Sequence, residues 1–190
     1  MAHTVQFFDA LETIGATVAR LIHDSAARGL TTLVVARPRT VAAIAQALSS
    51  HDMRLQDLVS SGRVIVRDAS DVLRSIIGLG TPRFAQFDTV IGPFIRELAR
   101  PPGGLAIYGE MVDILAGEGD FDAAEELEEH WNRWGQTVPF TLLCGYLSAH
   151  FAASPDAAAR LRRLCELHGI VQQDHSDMLA NWLLSTAQST

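Results

Sequence analysis

The chain contains no lysine. All 15 of its basic residues are arginine, set against 22 acidic ones, for a formal net charge of −7 over 190 residues. A phosphate-loop lysine, a Schiff-base lysine and a lysine general base are therefore excluded. The acidic balance argues against a direct nucleic-acid partner, which needs a basic surface to displace counterions. Long apolar runs are also missing. None reaches the ~18 residues of a membrane span, so no membrane partner is expected. Met1-Ala2-His3-Thr4 lacks the charged-then-apolar layout of a secretory signal. Cysteine is scarce: Cys144 and Cys165 both fall within apolar patterns. They read as reduced core thiols in a cytoplasmic protein, with a disulfide as the alternative.

What is present describes a folded α/β unit. The composition is 48% hydrophobic and 19% charged, and the length suits one domain with a substantial core. Leu11 to Arg28 carries Leu11, Ile14, Val18, Leu21 and Ile22 at helical spacing, with Gly29 as a stop. Thr31–Ala36, Val64–Val66, Leu105–Tyr108 and Phe140–Cys144 are short apolar runs typical of strands covered on both faces.

Helical patterns separate these runs. One holds Val41, Ile44, Ala45 and Leu48, with Thr40 as a cap; another holds Val72, Leu73, Ile76 and Ile77, closed by Gly78 and Gly80. Phe84 to Leu98 forms one apolar face, which Gly92-Pro93 should kink or split. A turn is expected at Pro101 to Gly104 and a helix from Met111 to Gly117-Glu118-Gly119. An acidic helix from about Asp122 to Trp134 follows. Ala157 to His168 is a helix with Arg160, Arg162 and Arg163 on its other face, and Met178, Leu179, Trp182 and Leu183 mark a last amphipathic segment. Strands alternating with helices imply a mostly parallel sheet with helices on both faces. The expected division is an α/β domain over 1–151 and a helical extension over 152–190.

In such a sheet, ligands bind outside the carboxyl ends of the strands. Those positions hold Arg37, Pro38, Arg39 and Thr40, then Asp68, then Gly109-Glu110, then Gly145, Tyr146, Ser148 and His150. The first turn has no glycine and no lysine and is too short to wrap a triphosphate. Arg37 and Arg39 beside a helix start can still hold an anion. Glu110 suits a general base or a magnesium-linked carboxylate. A buried hydrogen bond to a ligand or an arginine fits the missing phosphate loop better.

Glu126 and His130 share a helical face without the spacing of a zinc peptidase, so the acidic run reads as solvated. Glu128 and Asn132 form an i,i+4 pair beside the inward Leu127 and Trp131. Cys165 and His168 lack a matching second pair, and Cys144 with His150 or His168 has no local signature of a thiol–imidazole pair. No serine-hydrolase elbow occurs. No catalytic constellation, metal site or cofactor is expected.

An ordered series runs through the chain: His3, Phe7 and Phe8; Gly109-Glu110-Met111; Leu127-Glu128 with Trp131-Asn132; and Leu142-Leu143-Cys144-x-Tyr146. In order and spacing it resembles the MEDS family, the methanogen/methylotroph DcmR-type sensory domain, over about His3 to Phe151. The resemblance implies a RecA/KaiC-like fold that has lost its nucleotide loop and senses small molecules, hydrocarbon derivatives among them. It also implies signalling partners such as histidine kinases or anti-sigma-type kinases. The residues it maps are His3, Glu110, Glu128, Trp131, Asn132, Cys144 and Tyr146. Three departures bear on the ligand. Phe8 stands where tyrosine is frequent, Trp134 replaces a smaller apolar residue, and no arginine precedes Gly109-Glu110-Met111.

The expected function is a non-catalytic small-molecule sensory or regulatory domain in signal transduction or transcriptional control, with its ligand at the carboxyl edge of the sheet and a homodimer as one possible assembly. The alternatives are a degenerate RecA-like nucleotide-binding protein or ATPase and a protein-interaction module.

Overall fold

The computed structural model describes residues 1–77, 83–100, 104–152, 156–172, 181 and 185. Among these, the chain runs β1 (Ala2–Phe8), α1 (Leu11–Ala27), β2 (Thr31–Ala36), α2 (Pro38–Ser49), α3 (Leu55–Ser60), β3 (Val64–Asp68) and α4 (Ala69–Ile76). It continues through α5 (Phe87–Leu98), β4 (Leu105–Gly109), α6 (Met111–Gly117), α7 (Phe121–Gly135), β5 (Phe140–Leu147), α8 (Ala149–Ala152), α9 (Ala157–Leu167) and β6 (Ile170–Gln172). The six strands form one parallel sheet in the order β3-β2-β4-β5-β1-β6.

Alternation along the strands divides the core in two. One face carries Phe8, Val34, Tyr108 and Leu143 against Ile14, Val18 and Ile22 of α1 and Ile44 and Leu48 of α2. The other carries Val5, Phe7, Leu142, Cys144 and Tyr146 beneath residues of α4, α5, α6, α7 and α9. Helices therefore cover both faces, as the alternating pattern predicts.

The four strands read from the sequence are present, and two more join them. β1 alternates polar His3 and Gln6 with apolar neighbours, so it does not read as a continuous apolar run. β6 has only three residues and pairs with β1 at Thr4 to Gln6. Gly29 stops α1 in the left-handed region, at φ 71°.

One local expectation fails, and of the kink or split expected at Gly92-Pro93 the split does not occur. Pro38 occupies the first turn of α2, with Arg37 at its N-cap, so Thr40 sits inside the helix and is no cap. α5 runs through Pro93 without a break. A Cβ on Gly92 would lie 2.4 Å from the Trp134 ring, so Gly92 serves the close approach of α5 to that ring. Trp134 is fixed there by its Nε1 donating to Asp88 Oδ1 and by Arg96 stacked 4.6 Å from the ring. The expected stops at Gly78 and Gly80, the turn residues Pro101 to Gly103 and the segment around Met178 to Leu183 lie outside the described residues.

Candidate functional site

The sheet order brings two polar constellations into being, one at an edge and one inside the core. The first lies between β2 and β4, which are neighbours although the chain leaves β2 toward β3 and β4 toward β5. Divergent connections of this kind open a crevice at the carboxyl ends of an open parallel sheet. Arg37 and Glu110, the first residues past the two strands, meet there. The main-chain N–H of Arg37 donates to Glu110 Oε2 at 2.6 Å, and its Nε and Nη2 donate to Oε1 at 2.8 and 2.5 Å. Thr40 Oγ1 donates to the same Oε1 at 2.8 Å.

Arg37 also reaches Asp113, one turn along α6, and the Leu147 N–H donates to Asp113 Oδ1 at 2.6 Å. His150 Nε2 stands 3.2 Å from that oxygen, off the line of a hydrogen bond. Glu110 and Asp113 are fully buried, while Arg37 and His150 each keep 20% of their side-chain surface. Burial alone would raise the Asp113 carboxyl. His150, the Leu147 N–H and Arg37 together hold it below its ordinary value. For Arg37, desolvation is outweighed by the two carboxylates, which raise its pKa.

The second constellation is built on the face of β1 and β5 that lies under α7 and α9. In the parallel register His3 sits opposite Leu142 and Val5 opposite Cys144, so His3, Cys144 and Tyr146 share one side. Glu128 and Asn132, four apart on α7, descend onto them. His168 comes from the residue that ends α9.

The Glu128 carboxylate has no exposed surface and collects four groups. Tyr146 OH donates to Oε1 at 2.9 Å and Cys144 Sγ to Oε2 at 3.3 Å. His3 Nε2 lies 3.1 Å from Oε2 and His168 Nε2 3.3 Å from Oε1. The last contact lacks hydrogen-bond alignment, which leaves this buried nitrogen without a partner.

Both rings are held from behind. Asn132 Nδ2 donates to Leu167 O at 2.8 Å, so its Oδ1 accepts from His3 Nδ1 at 2.9 Å. His168 Nδ1 donates to Leu164 O at 2.6 Å. Burial would raise the Glu128 carboxyl, but His168 and His3 hold it far below the carboxylate range. Burial opposes charge on His168, and Glu128 overrides it, raising that imidazole. Burial beside Glu128 pushes the Cys144 thiol and the Tyr146 hydroxyl well up, so both stay protonated donors.

The methanogen/methylotroph, DcmR sensory domain family matches residues 2–168 of the chain. The chain belongs to the MEDS family. No curated protein matches it.

The candidate residues of this MEDS domain fall into three groups. Arg37 and Glu110 form the edge constellation. His3, Glu128, Asn132, Cys144 and Tyr146 form the buried one, well inside the sheet. Trp131, Arg39 and Asp68 join neither. Trp131 packs edge-on against Phe87 and Phe140. Arg39 is exposed on α2. The Asp68 side chain accepts from the N–H groups of Ser70 and Asp71 and so caps α4.

Asp113 escaped the sequence reading, although its spacing of three from Glu110 on a helix start was a usable signal. His168 was visible beside Cys165, but its partners are distant in sequence. The acidic run of α7 is not simply solvated either. Arg160 donates to Asp122 and Glu125, and Arg163 donates to Glu129. No helix among the described residues is long and apolar enough to cross a membrane.

Proposed function

We propose that this MEDS domain is a non-catalytic small-molecule sensor that reads its ligand at the carboxyl edge of the sheet and passes the signal to a partner protein. The observation that carries this reading is the Arg37–Glu110 clasp at the switch between β2 and β4. A nucleotide-binding sheet would cradle phosphate there on glycine N–H groups. Here the Arg37 N–H and guanidinium are taken up by Glu110, and a second carboxylate, Asp113, stands behind. Two carboxylates against one guanidinium disfavour a polyphosphate.

An apolar groove of about 230 Å³ adjoins the same end of β2, lined by Val35, Arg67, Val72, Ser75, Ile91 and Phe94 among others. Pockets for drug-sized ligands run from roughly 300 Å³ upward, so this volume favours a molecule of a few heavy atoms. A small, mostly apolar solute with one hydrogen-bonding group suits the groove and its polar rim.

Titration calorimetry and thermal shifts on the full chain, with small organic solutes and with MgATP, test the reading. The expected result is stabilisation by a small solute, lost in Val90→Trp, which fills the groove from its exposed side, and no heat with MgATP. Micromolar MgATP binding with turnover that disappears in Glu110→Gln would overturn it in favour of a nucleotide hydrolase.

A further inference from the structure

We infer that the buried constellation is a metal site, in which His3 Nε2, His168 Nε2, Cys144 Sγ and a Glu128 oxygen hold one borderline divalent ion of the zinc type. This rests on its own geometry and stands whether or not the edge binds a ligand. The four donor atoms lie within 4.8 Å of one another, and all four residues are buried. Zinc bonds of about 2.0–2.1 Å to nitrogen and oxygen and about 2.3 Å to sulfur give a tetrahedron with edges of roughly 3.3–3.6 Å. The observed separations are 3.1 Å between His3 Nε2 and Glu128 Oε2, 3.5 Å between His3 Nε2 and Cys144 Sγ, and 3.3 Å between Cys144 Sγ and Glu128 Oε2. Three of the four donors already stand near these spacings, and His168 Nε2, 3.3 Å from Glu128 Oε1 and within 4.8 Å of the other donors, completes the shell by moving inward.

The outer contacts point the same way. Ligating histidines usually donate their second ring N–H to a carbonyl or another acceptor, which fixes the tautomer and turns the free nitrogen to the metal. His168 does this through Leu164 O, and His3 through Asn132, itself anchored on Leu167 O. The Tyr146 hydroxyl holds the second oxygen of Glu128 in the manner of an outer-shell donor. His168 Nε2 is buried with no hydrogen-bond partner, a state that a bound ion would relieve.

Charge and donor type select the ion. A carboxylate, a thiolate and two neutral imidazoles neutralise a divalent charge in a buried site. Sulfur and imidazole together disfavour magnesium and calcium. On binding, the Cys144 thiol gives its proton to solvent as the metal–sulfur bond forms, and any proton on an imidazole Nε2 leaves likewise. Four protein donors leave no open position, the pattern of a structural or sensing ion rather than a hydrolytic one.

The test uses the full chain, stripped with a chelator and titrated with Zn²⁺ against a chromophoric competitor, and with Co²⁺ followed by absorption. One ion per chain is expected, with a tetrahedral cobalt spectrum and a thiolate charge-transfer band. Cys144→Ser should abolish that band and Cys165→Ser should keep it. His168→Gln should weaken Zn²⁺ at least tenfold, and Asn132→Ala, acting through His3, about tenfold. His51→Ala, at the exposed His23–His51 pair, should change neither metal. Because a core variant can misfold, X-ray absorption of the zinc-loaded wild type provides a second measurement. It should show one sulfur and three nitrogen or oxygen neighbours. Failure to bind one ion, or a shell without sulfur, would overturn the assignment and leave the constellation as a charge-paired polar network.

Discussion

The two constellations of this MEDS domain use similar chemistry in opposite ways. At the sheet edge, one arginine faces two buried carboxylates and keeps a fifth of its side chain in water. Inside the core, one carboxylate faces two histidines, a thiol and a phenol, and its side chain has no exposure. The edge group is a closed ion pair that solvent can reach. The core group is a convergence of donors around a point that solvent does not reach. Position in the sheet, more than residue type, separates the two: divergent strand exits leave Arg37 partly in water, and the helices α7 and α9 bury the second set.

The comparison is broken most severely from the inside. Glu128→Ala leaves two imidazoles, a thiol and a phenol buried without their common acceptor. Removing one partner of a buried charged network costs roughly 3–5 kcal/mol. Chemical denaturation in the presence of chelator should show a loss of that order, a large fraction of the roughly 5–15 kcal/mol that holds a domain folded. A loss under about 1 kcal/mol would mean that the carboxylate is replaceable by packing, and the two regions would no longer differ in kind.

At the edge, Arg37→Ala should cost less, on the order of 2 kcal/mol, because water can enter and solvate Glu110 and Asp113 in its place. Equal losses for Arg37→Ala and Glu128→Ala in the same denaturation series would remove the distinction drawn from burial. Because the variant leaves the Glu110 and Asp113 carboxylates without their cation, it should also stay silent toward MgATP.

Part of both regions is legible in the sequence. The strand exits named Arg37 and Glu110, because a parallel sheet presents its polar residues at its carboxyl ends. The i,i+4 spacing of Glu128 and Asn132 beside Leu127 and Trp131 placed them on one side of a helix directed at the sheet. The convergence itself was not legible. His3, Glu128, Cys144 and His168 come from β1, α7, β5 and the end of α9, and no two of them stand at a metal-binding spacing in sequence. β1 hid behind its own polar residues, and β6 was too short to read, so the frame that aligns His3 with β5 appears only on folding. Asp113 was masked by Met111 and Val112, which mark the same turn as apolar.

Acid should sharpen the contrast at a smaller scale. Asp113 has a folded pKa depressed below its ordinary value of 3.8, so it stabilises the protein above that value. The contribution is lost as the pH falls through the lower folded value, where the native state finally takes up the proton. Wild type should therefore exceed Asp113→Asn in stability by on the order of 1–2 kcal/mol at neutral pH, through the charge-assisted bonds to Leu147 N–H and Arg37. The gap should narrow progressively below about pH 4. A gap that stays constant down to pH 3 would show that Asp113 acts through shape and not through its charge.

The smallest effect concerns how the core region is closed. His168 reaches Glu128 only because α9 lies along α7, and besides the Asn132–Leu167 bond the ties between those helices include the ion pairs of Arg160 with Asp122 and Glu125 and of Arg163 with Glu125 and Glu129. Asp122 is 77% exposed, and such rim pairs contribute about 0–1 kcal/mol each and weaken as salt screens them. Leu161 and Leu164, fully buried on the same helix, contribute far more through area removed from water. Arg160→Ala and Arg163→Ala should therefore lower stability by under about 1 kcal/mol each, and by less at 1 M salt. Zn²⁺ affinity should stay within a few-fold of wild type if apolar packing seats α9. A tenfold loss of Zn²⁺ affinity in either variant, reversed by neither salt nor temperature, would instead make the arginines part of what positions His168.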